Sequence, residues 1–256
     1  MTGYSQHPTN SSLGCCLFRL LVIMLSAFLT FPVAADTIVL DDFSQQITGS
    51  GASGSGYFFG DDGTGVTELS LQPGGSVAWS DTGTGIFGGT RRVTISKDNT
   101  GSALSSVKVN TGVFEVSHPD GDGALSISLN YQDAPVTAFT GVDWFVVDMQ
   151  LVDQVASDSV FPTLRLYRDA STFAEKTFST PLAAGPNILT LASMFQQLGT
   201  RNITRATVSM TAQAGADFKI NLLAFTPTPE PGTVATGLLI ATLCWYRHQR
   251  RKRLQA

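Results

Sequence analysis

His118, the lone histidine between Asp36 and Phe225, opens the run His118-Pro119-Asp120-Gly121-Asp122-Gly123, an imidazole followed closely by two carboxylates. A Ser-His-Asp relay also asks for a positioned serine and an oxyanion hole, and no Gly-x-Ser-x-Gly elbow occurs in the chain. Pro, Asp and Gly together are the composition of a hairpin turn, which is the expected reading. Asp120-Gly121-Asp122-Gly123 and Asp61-Asp62-Gly63 offer oxygen ligands to Ca2+, the one cofactor the sequence admits, although neither completes an EF-hand loop. Gly83-Thr84-Gly85-Ile86-Phe87-Gly88 matches dinucleotide-loop spacing, but a strand-like segment follows it where the fingerprint needs a helix to present amide donors. Glycoside hydrolysis needs two carboxylates at a fixed separation. The domain's glutamates are Glu68, Glu115 and Glu175, and none sits in a closely spaced acidic strand pattern. No catalytic residue is assigned, and the chain is read as non-enzymatic.

Binding chemistry comes instead from alternation. Leu125/Ile127/Leu129, Phe145/Val147/Met149 and Leu164/Leu166 read as inward-facing on three strands, so their neighbours face outward. Those neighbours include Asn130, then Trp144, Asp148 and Gln150, then Arg165 and Tyr167. Aromatic rings beside amide, carboxylate and guanidinium groups suit a sugar, so the six form a candidate glycan face. The plainer alternative is a polar sheet face with Trp144 covered by other parts of the fold.

Many short strands must position these residues. The 256-residue chain is 43% hydrophobic but only 14% charged and has 25 glycines, a texture that fits an all-β domain better than a helical bundle or a disordered chain. Between Asp36 and Thr226 lie ten basic and nineteen acidic residues, an excess that does not attract phosphates and excludes nucleic acid as a partner. The cysteines Cys15, Cys16 and Cys244 all fall outside that span, so no disulfide or thiolate metal site is available to it, and one histidine is too few for a His-rich zinc centre. Period-2 alternation is clear at 125–131 and 206–210, further strands are expected at 66–71, 77–79, 142–152 and 160–168 among others, and one helical turn at 193–198. About a dozen such strands imply a β-sandwich. The opening Val39-Leu40-Asp41-Asp42-Phe43 and the hydrophobic closing strand resemble galactose-binding-like jelly rolls, which makes a jelly-roll-like sandwich the expected ectodomain fold.

The ends carry an address. Arg19, an apolar run from Leu20 to Phe31, Pro32 and the small residues before Asp36 make residues 1–35 a secretory signal peptide cleaved between Ala35 and Asp36. At the other end, residues 227–231 form a proline-rich spacer, 232–246 an uncharged apolar segment read as a single transmembrane helix, and 247–256 a basic tail with Arg247, Arg250, Arg251, Lys252 and Arg253. As a helix the apolar segment spans about 22 Å, short of the ~30 Å hydrocarbon core, and the arginines place the tail in the cytoplasm. Pro229-Glu230-Pro231, the short helix and the arginine-rich end together resemble a PEP-CTERM sorting tail. The resemblance implies a Gram-negative exported protein, inner-membrane recognition and cleavage by an exosortase, and release to the cell surface or extracellular matrix. Partners implied are the secretion machinery, the exosortase, the membrane and extracellular polysaccharide. A structural surface role is the leading expectation, a carbohydrate-binding module the alternative and a secreted hydrolase the third.

Overall fold

A computed structural model describes residues 36–132, 136–153 and 160–227. The signal segment, the Pro-Glu-Pro motif from Pro229, the apolar segment and the basic tail lie outside the described residues. Among the described residues no helix is long and apolar enough to cross a membrane.

Ala35–Thr228 is one compact unit. Its first strands are β1 (Ile38–Asp41), β2 (Ser53–Asp61), β3 (Thr67–Thr82), β4 (Thr90–Lys97), β5 (Ser105–Asn110), β6 (Val113–Ser117), β7 (Leu125–Gln132) and the short β8 (Thr137–Ala138). Then come β9 (Val142–Asp153), β10 (Thr163–Tyr167), β11 (Phe173–Thr177) and β12 (Gly185–Thr190). The helix α1 (Ala192–Leu198), the short β13 (Asn202–Ile203), β14 (Arg205–Ala212) and β15 (Asp217–Pro227) complete it. The fold is all-β, antiparallel and jelly-roll-like: the strands run in the order β11-β10-β14-β7-β4-β3-β5-β6-β15-β9-β12, with β1 on β15 and β2 on β3.

One long strand divides this sheet into two wings. β3 pairs through Glu68–Leu71 with β5 and through Ser76–Thr82 with β4, while β2 follows it over both stretches. The register passes from Ser55 opposite Ser76 to Tyr57 opposite Leu71, so Gly56 alone faces the bulge Gln72-Pro73-Gly74-Gly75. A bulge of that size bends a strand and raises its twist, which lets the sheet curl. Both wings then bury their alternate residues in one core. Leu125, Ile127, Leu129, Phe145, Val147, Met149, Leu164 and Leu166 are all buried, as alternation requires. Phe225 lies 4.7 Å from Phe139 and 5.2 Å from Phe145, centroid to centroid, and ties β15 to β9 in that core.

The differences from the sequence reading have local causes. Residues 66–71 and 77–79 belong to the single strand β3, because Pro73-Gly74-Gly75 bends the strand instead of ending it. β2 escapes a pattern reading because Ser53-Gly54-Ser55-Gly56 has turn composition, although its ladder to β3 is continuous on either side of the bulge. β11 is short and has one buried residue, Ala174, too weak an alternation to register. The expected helical turn is α1, stopped by Gly199 in the left-handed conformation (φ 66°).

The Leu40-Asp41-Asp42-Phe43 stretch earns its place through a buried ionic cluster. The Arg91 guanidinium, fully enclosed, donates to Asp41 Oδ2 (2.8 Å), Asp81 Oδ2 (3.0 Å) and the Gln45 carbonyl (3.0 Å). Tyr131 O–H donates to Asp41 at 3.0 Å and Trp79 Nε1–H to Asp81 at 2.8 Å. Four segments distant in sequence (β1, β3, β4 and β7) thereby share one set of charge-assisted bonds.

Candidate functional site

The His118 run folds as a turn, but the histidine itself is enclosed and structural. It follows β6, is 1% exposed, and places Nδ1 2.8 Å from Ser105 Oγ and Nε2 2.6 Å from the Gly123 carbonyl. A carbonyl only accepts, so Nε2 carries the proton and Nδ1 accepts from the Ser105 hydroxyl. Ser105 is fully buried and the base nitrogen is already engaged, so the pair is a cross-link, not a nucleophile and its base. Burial, with the charge of Lys97 adding to it, pushes the imidazole below its ordinary 6.5 against the opposing bond to Gly123. The unfolded chain therefore takes a proton first, and stability present above pH 6.5 is lost as pH falls below it, with a limiting slope of about 1.4 kcal/mol per pH unit. Urea midpoints at pH 7.5 and 5.5 should differ in the wild type and converge in His118→Gln.

The carboxylates considered as calcium ligands have partners within the protein. Asp62 Oδ1 accepts from the Thr64 amide and hydroxyl, and its Oδ2 faces Lys108 at 3.3 Å. Asp122 pairs with Lys97 at 2.6 Å. Among the described residues no group of three or more His, Cys, Asp or Glu side chains could hold a metal ion. The Gly83–Gly88 run leads through a single 3-10 turn (Phe87–Gly89) into β4, so no helix N-terminus stands behind it.

The six residues of the candidate glycan face fall into two groups on the sheet. Asn130 on β7 and Arg165 and Tyr167 on β10 point away from the core on one wing, with β14 between the two strands. Trp144, Asp148 and Gln150 lie on β9, with seven strands between β9 and β10 in the sheet order. Trp144 is half-buried opposite Thr190 and Thr226, and Asp148 accepts from Asn221 Nδ2 at 3.3 Å. Alternation reports which way a side chain points, not which strand lies beside it, and that is why the six separate.

The register completes the face around Asn130 with residues the sequence reading missed. Across one row Arg92 stands opposite Asn130, Asn130 opposite Thr207, Thr207 opposite Arg165, and Arg165 opposite Glu175. In the next row Arg205 stands opposite Tyr167, and Tyr167 opposite Phe173. On the other side the row Thr94, Ser128, Ser209 and Thr163 is all hydroxyl. The alternation at 206–210 already marks Thr207 as outward, but nothing local says that β14 lies between β7 and β10.

Tyr167 does a different job from the one expected of it. Only 9% exposed, it lies under the Arg205 guanidinium, whose Cζ is 3.5 Å from the ring centroid. Phe173, 44% exposed, carries Arg165 at 4.4 Å, and Arg165 forks onto Glu175 through Nε (2.7 Å) and Nη2. The rings hold arginines in place by cation–π contact, over a face whose Asn130, Arg205 and Thr207 side chains are partly buried. Four buried side-chain polar atoms among the described residues have no partner, and three of them are here: Asn130 Oδ1, Thr207 Oγ1 and Arg205 Nε. A buried polar atom left unpaired costs about 1–3 kcal/mol, so three on adjoining strands mark a place where an external partner is expected.

No protein-family model matches the chain, and no curated protein matches it. Solved structures match the fold loosely. The family 11 carbohydrate-binding module of Clostridium thermocellum, solved with a β-1,3-1,4-mixed-linked tetrasaccharide, is 11% identical over 70% of this chain and 99% of its own, with a TM-score of 0.32. The family 11 xylanase of Neocallimastix patriciarum is 13% identical over 63% of this chain and 100% of its own, at 0.36. The enzymatically active domain of tailspike protein 4 from bacteriophage CBA120 is 11% identical over 58% of this chain, at 0.30, and the chain spans 19% of that protein. Likenesses at this level say nothing of a ligand, and function has to be read from the side chains of the face.

Proposed function

We propose that this is an exported, non-enzymatic surface or matrix protein whose β domain binds polysaccharide on the outward face of β4, β7, β14, β10 and β11. The observation that carries the reading is the set of unpartnered polar atoms on Asn130 and Thr207, in a row bounded by Arg92 and Arg165, and on Arg205 in the adjoining row. Sugar hydroxyls both donate and accept, so one chain of them can satisfy an amide oxygen, a hydroxyl and a guanidinium N–H together. Ser105 and His118 bond to each other in the interior, so the domain's one histidine has both ring nitrogens engaged. Purified residues 36–227 are expected to bind polysaccharide on a glycan array. Asn130→Ala or Thr207→Ala should weaken that binding about three- to tenfold, the worth of a net hydrogen bond. Trp144→Ala, on the other wing, should leave it unchanged. Absence of binding to any glycan, or loss in Trp144→Ala alone, overturns this reading.

The address in the tail supports delivery to the same place. An apolar segment as short as 232–246 would hold the chain in the membrane less firmly than a ~20-residue span, and the basic cluster after it would keep Glu230 on the outer side. An exosortase is the processing partner this reading requires. In a host with an active exosortase, the wild type should appear as a shortened surface form by immunoblot. The variant with Pro229, Glu230 and Pro231 all changed to alanine should stay full-length in the inner membrane. If both remain full-length there, the tail is only an anchor.

A further inference from the structure

We propose that the polysaccharide is anionic, carrying carboxylates that Arg92 and Arg205 receive; this rests on the glycan-binding reading of the same face. The basis is where the domain spends its cations. Of its ten basic residues, Arg91, Lys97, Lys108, Arg165, Arg168, Arg201 and Lys219 each pair with a carboxylate. Lys176 gives its ammonium to the carbonyl and hydroxyl of Thr190. Arg92 and Arg205 have neither carboxylate nor hydrogen-bond acceptor among the described residues, in a domain with nineteen acidic side chains to choose from. Both lie on the one face that also holds the unpartnered atoms.

The charge of that face opposes the charge of its domain. Three arginines (Arg92, Arg165, Arg205) and one acid (Glu175) stand in its two rows, against a domain with far more acidic than basic residues. Arg205 Cζ lies 3.5 Å from the Tyr167 ring centroid, a cation–π contact that holds the group over the ring, and its Nε has no partner. A planar guanidinium fixed in this way is suited to a bidentate carboxylate rather than to a lone hydroxyl. β4 and β14 flank β7, so the strands that carry Arg92 and Arg205 lie about 10 Å apart, with Asn130 on the strand between them and Thr207 two residues from Arg205 on β14. A polymer running obliquely over β4, β7 and β14 meets Arg92, then Asn130, then Thr207 and Arg205 together.

Glu175 is the internal competitor. It neutralises Arg165 in the same row, so an acidic ligand finds two free guanidiniums instead of three. Removing it should strengthen binding of an anionic chain and not of a neutral one.

The test measures binding of the full-length protein in mild detergent to polygalacturonate, alginate and hyaluronate, each beside its methyl-esterified, uncharged counterpart, and to dextran sulfate. The expected result is binding to at least one polyuronate and about tenfold or more weaker binding to its ester. Arg92→Gln and Arg205→Gln should each lose about 10- to 100-fold for that polyuronate. Lys219→Gln, on β15 of the other wing, should lose nothing. Glu175→Gln should bind it about three- to tenfold more tightly, an outcome that no loss of folding imitates. Equal binding of acid and ester, or binding of neutral glycans only, overturns the anionic assignment and leaves the glycan face standing. Binding to none of these and to no neutral glycan overturns both. Binding to dextran sulfate and the polyuronates alike, unchanged in the arginine and glutamate variants, shows non-specific polyanion adhesion and overturns the assignment.

Discussion

Changing Arg91 to methionine should remove about 3–5 kcal/mol of folding stability at neutral pH, the range for deleting one partner of a buried ion cluster. The guanidinium is the sole cation among Asp41 and Asp81, both buried, and without it two enclosed carboxylates face each other. Asp41→Asn should cost less, because the Arg91–Asp81 pair survives it. The pH dependence carries the sign of the effect. Burial already pushes Asp41 above the ordinary carboxylate value, and Arg91 opposes that rise. In Arg91→Met the opposition is gone, so the folded state takes up a proton more readily than wild type does. A raised folded pKa contributes stability at low pH that is lost as pH rises. The deficit of the variant should therefore be smaller at pH 4.5 than at pH 7.5 when both are read from urea unfolding. A deficit below about 1 kcal/mol, or one independent of pH, would show that the cluster is not electrostatically coupled in this way.

Gly54→Ala is the second large effect, and it acts on the curl of the sheet. Gly54 adopts φ +146°, and a Cβ placed there would meet the Ser76 carbonyl oxygen at 2.0 Å and its carbon at 2.8 Å. Those are backbone atoms in the β2–β3 ladder, next to the bulge through which the sheet divides, so they cannot swing aside as a side chain does. Conformational strain of about 1–3 kcal/mol adds to an overpacking cost of similar size. A loss of roughly 3 kcal/mol or more is expected in denaturant unfolding. Gly63→Ala is the matched comparison: its φ is +85° but nothing lies within 4 Å of the added carbon, so strain alone remains. Equal stability of the two variants would mean that the β2–β3 approach does not hold the bend.

Much of this domain was legible in its residues, and the reason is periodicity. The alternation of Leu125, Ile127 and Leu129 with polar neighbours dictates a strand with one buried face, since a one-residue slip would put all three in water. Phe145, Val147 and Met149 do the same for β9, and the scarcity of charge and abundance of glycine point to an all-β class. The direction in which Asn130, Trp144, Arg165 and Tyr167 point follows from the same period. What no period contains is adjacency. Strand pairing joins residues far apart in the chain, so only the folded sheet sets Arg92 beside Asn130, Thr207 beside Arg165, and seven strands between those of Trp144 and Tyr167. The bulge at Pro73-Gly74-Gly75 and the strand through Ser53-Gly54-Ser55-Gly56 have the composition of turns, and the long-range ladder overrides that local preference. His118 shows the same division: its neighbours Pro119, Asp120 and Gly121 specify a turn, while its burial against Ser105 depends on a strand brought alongside by the sheet.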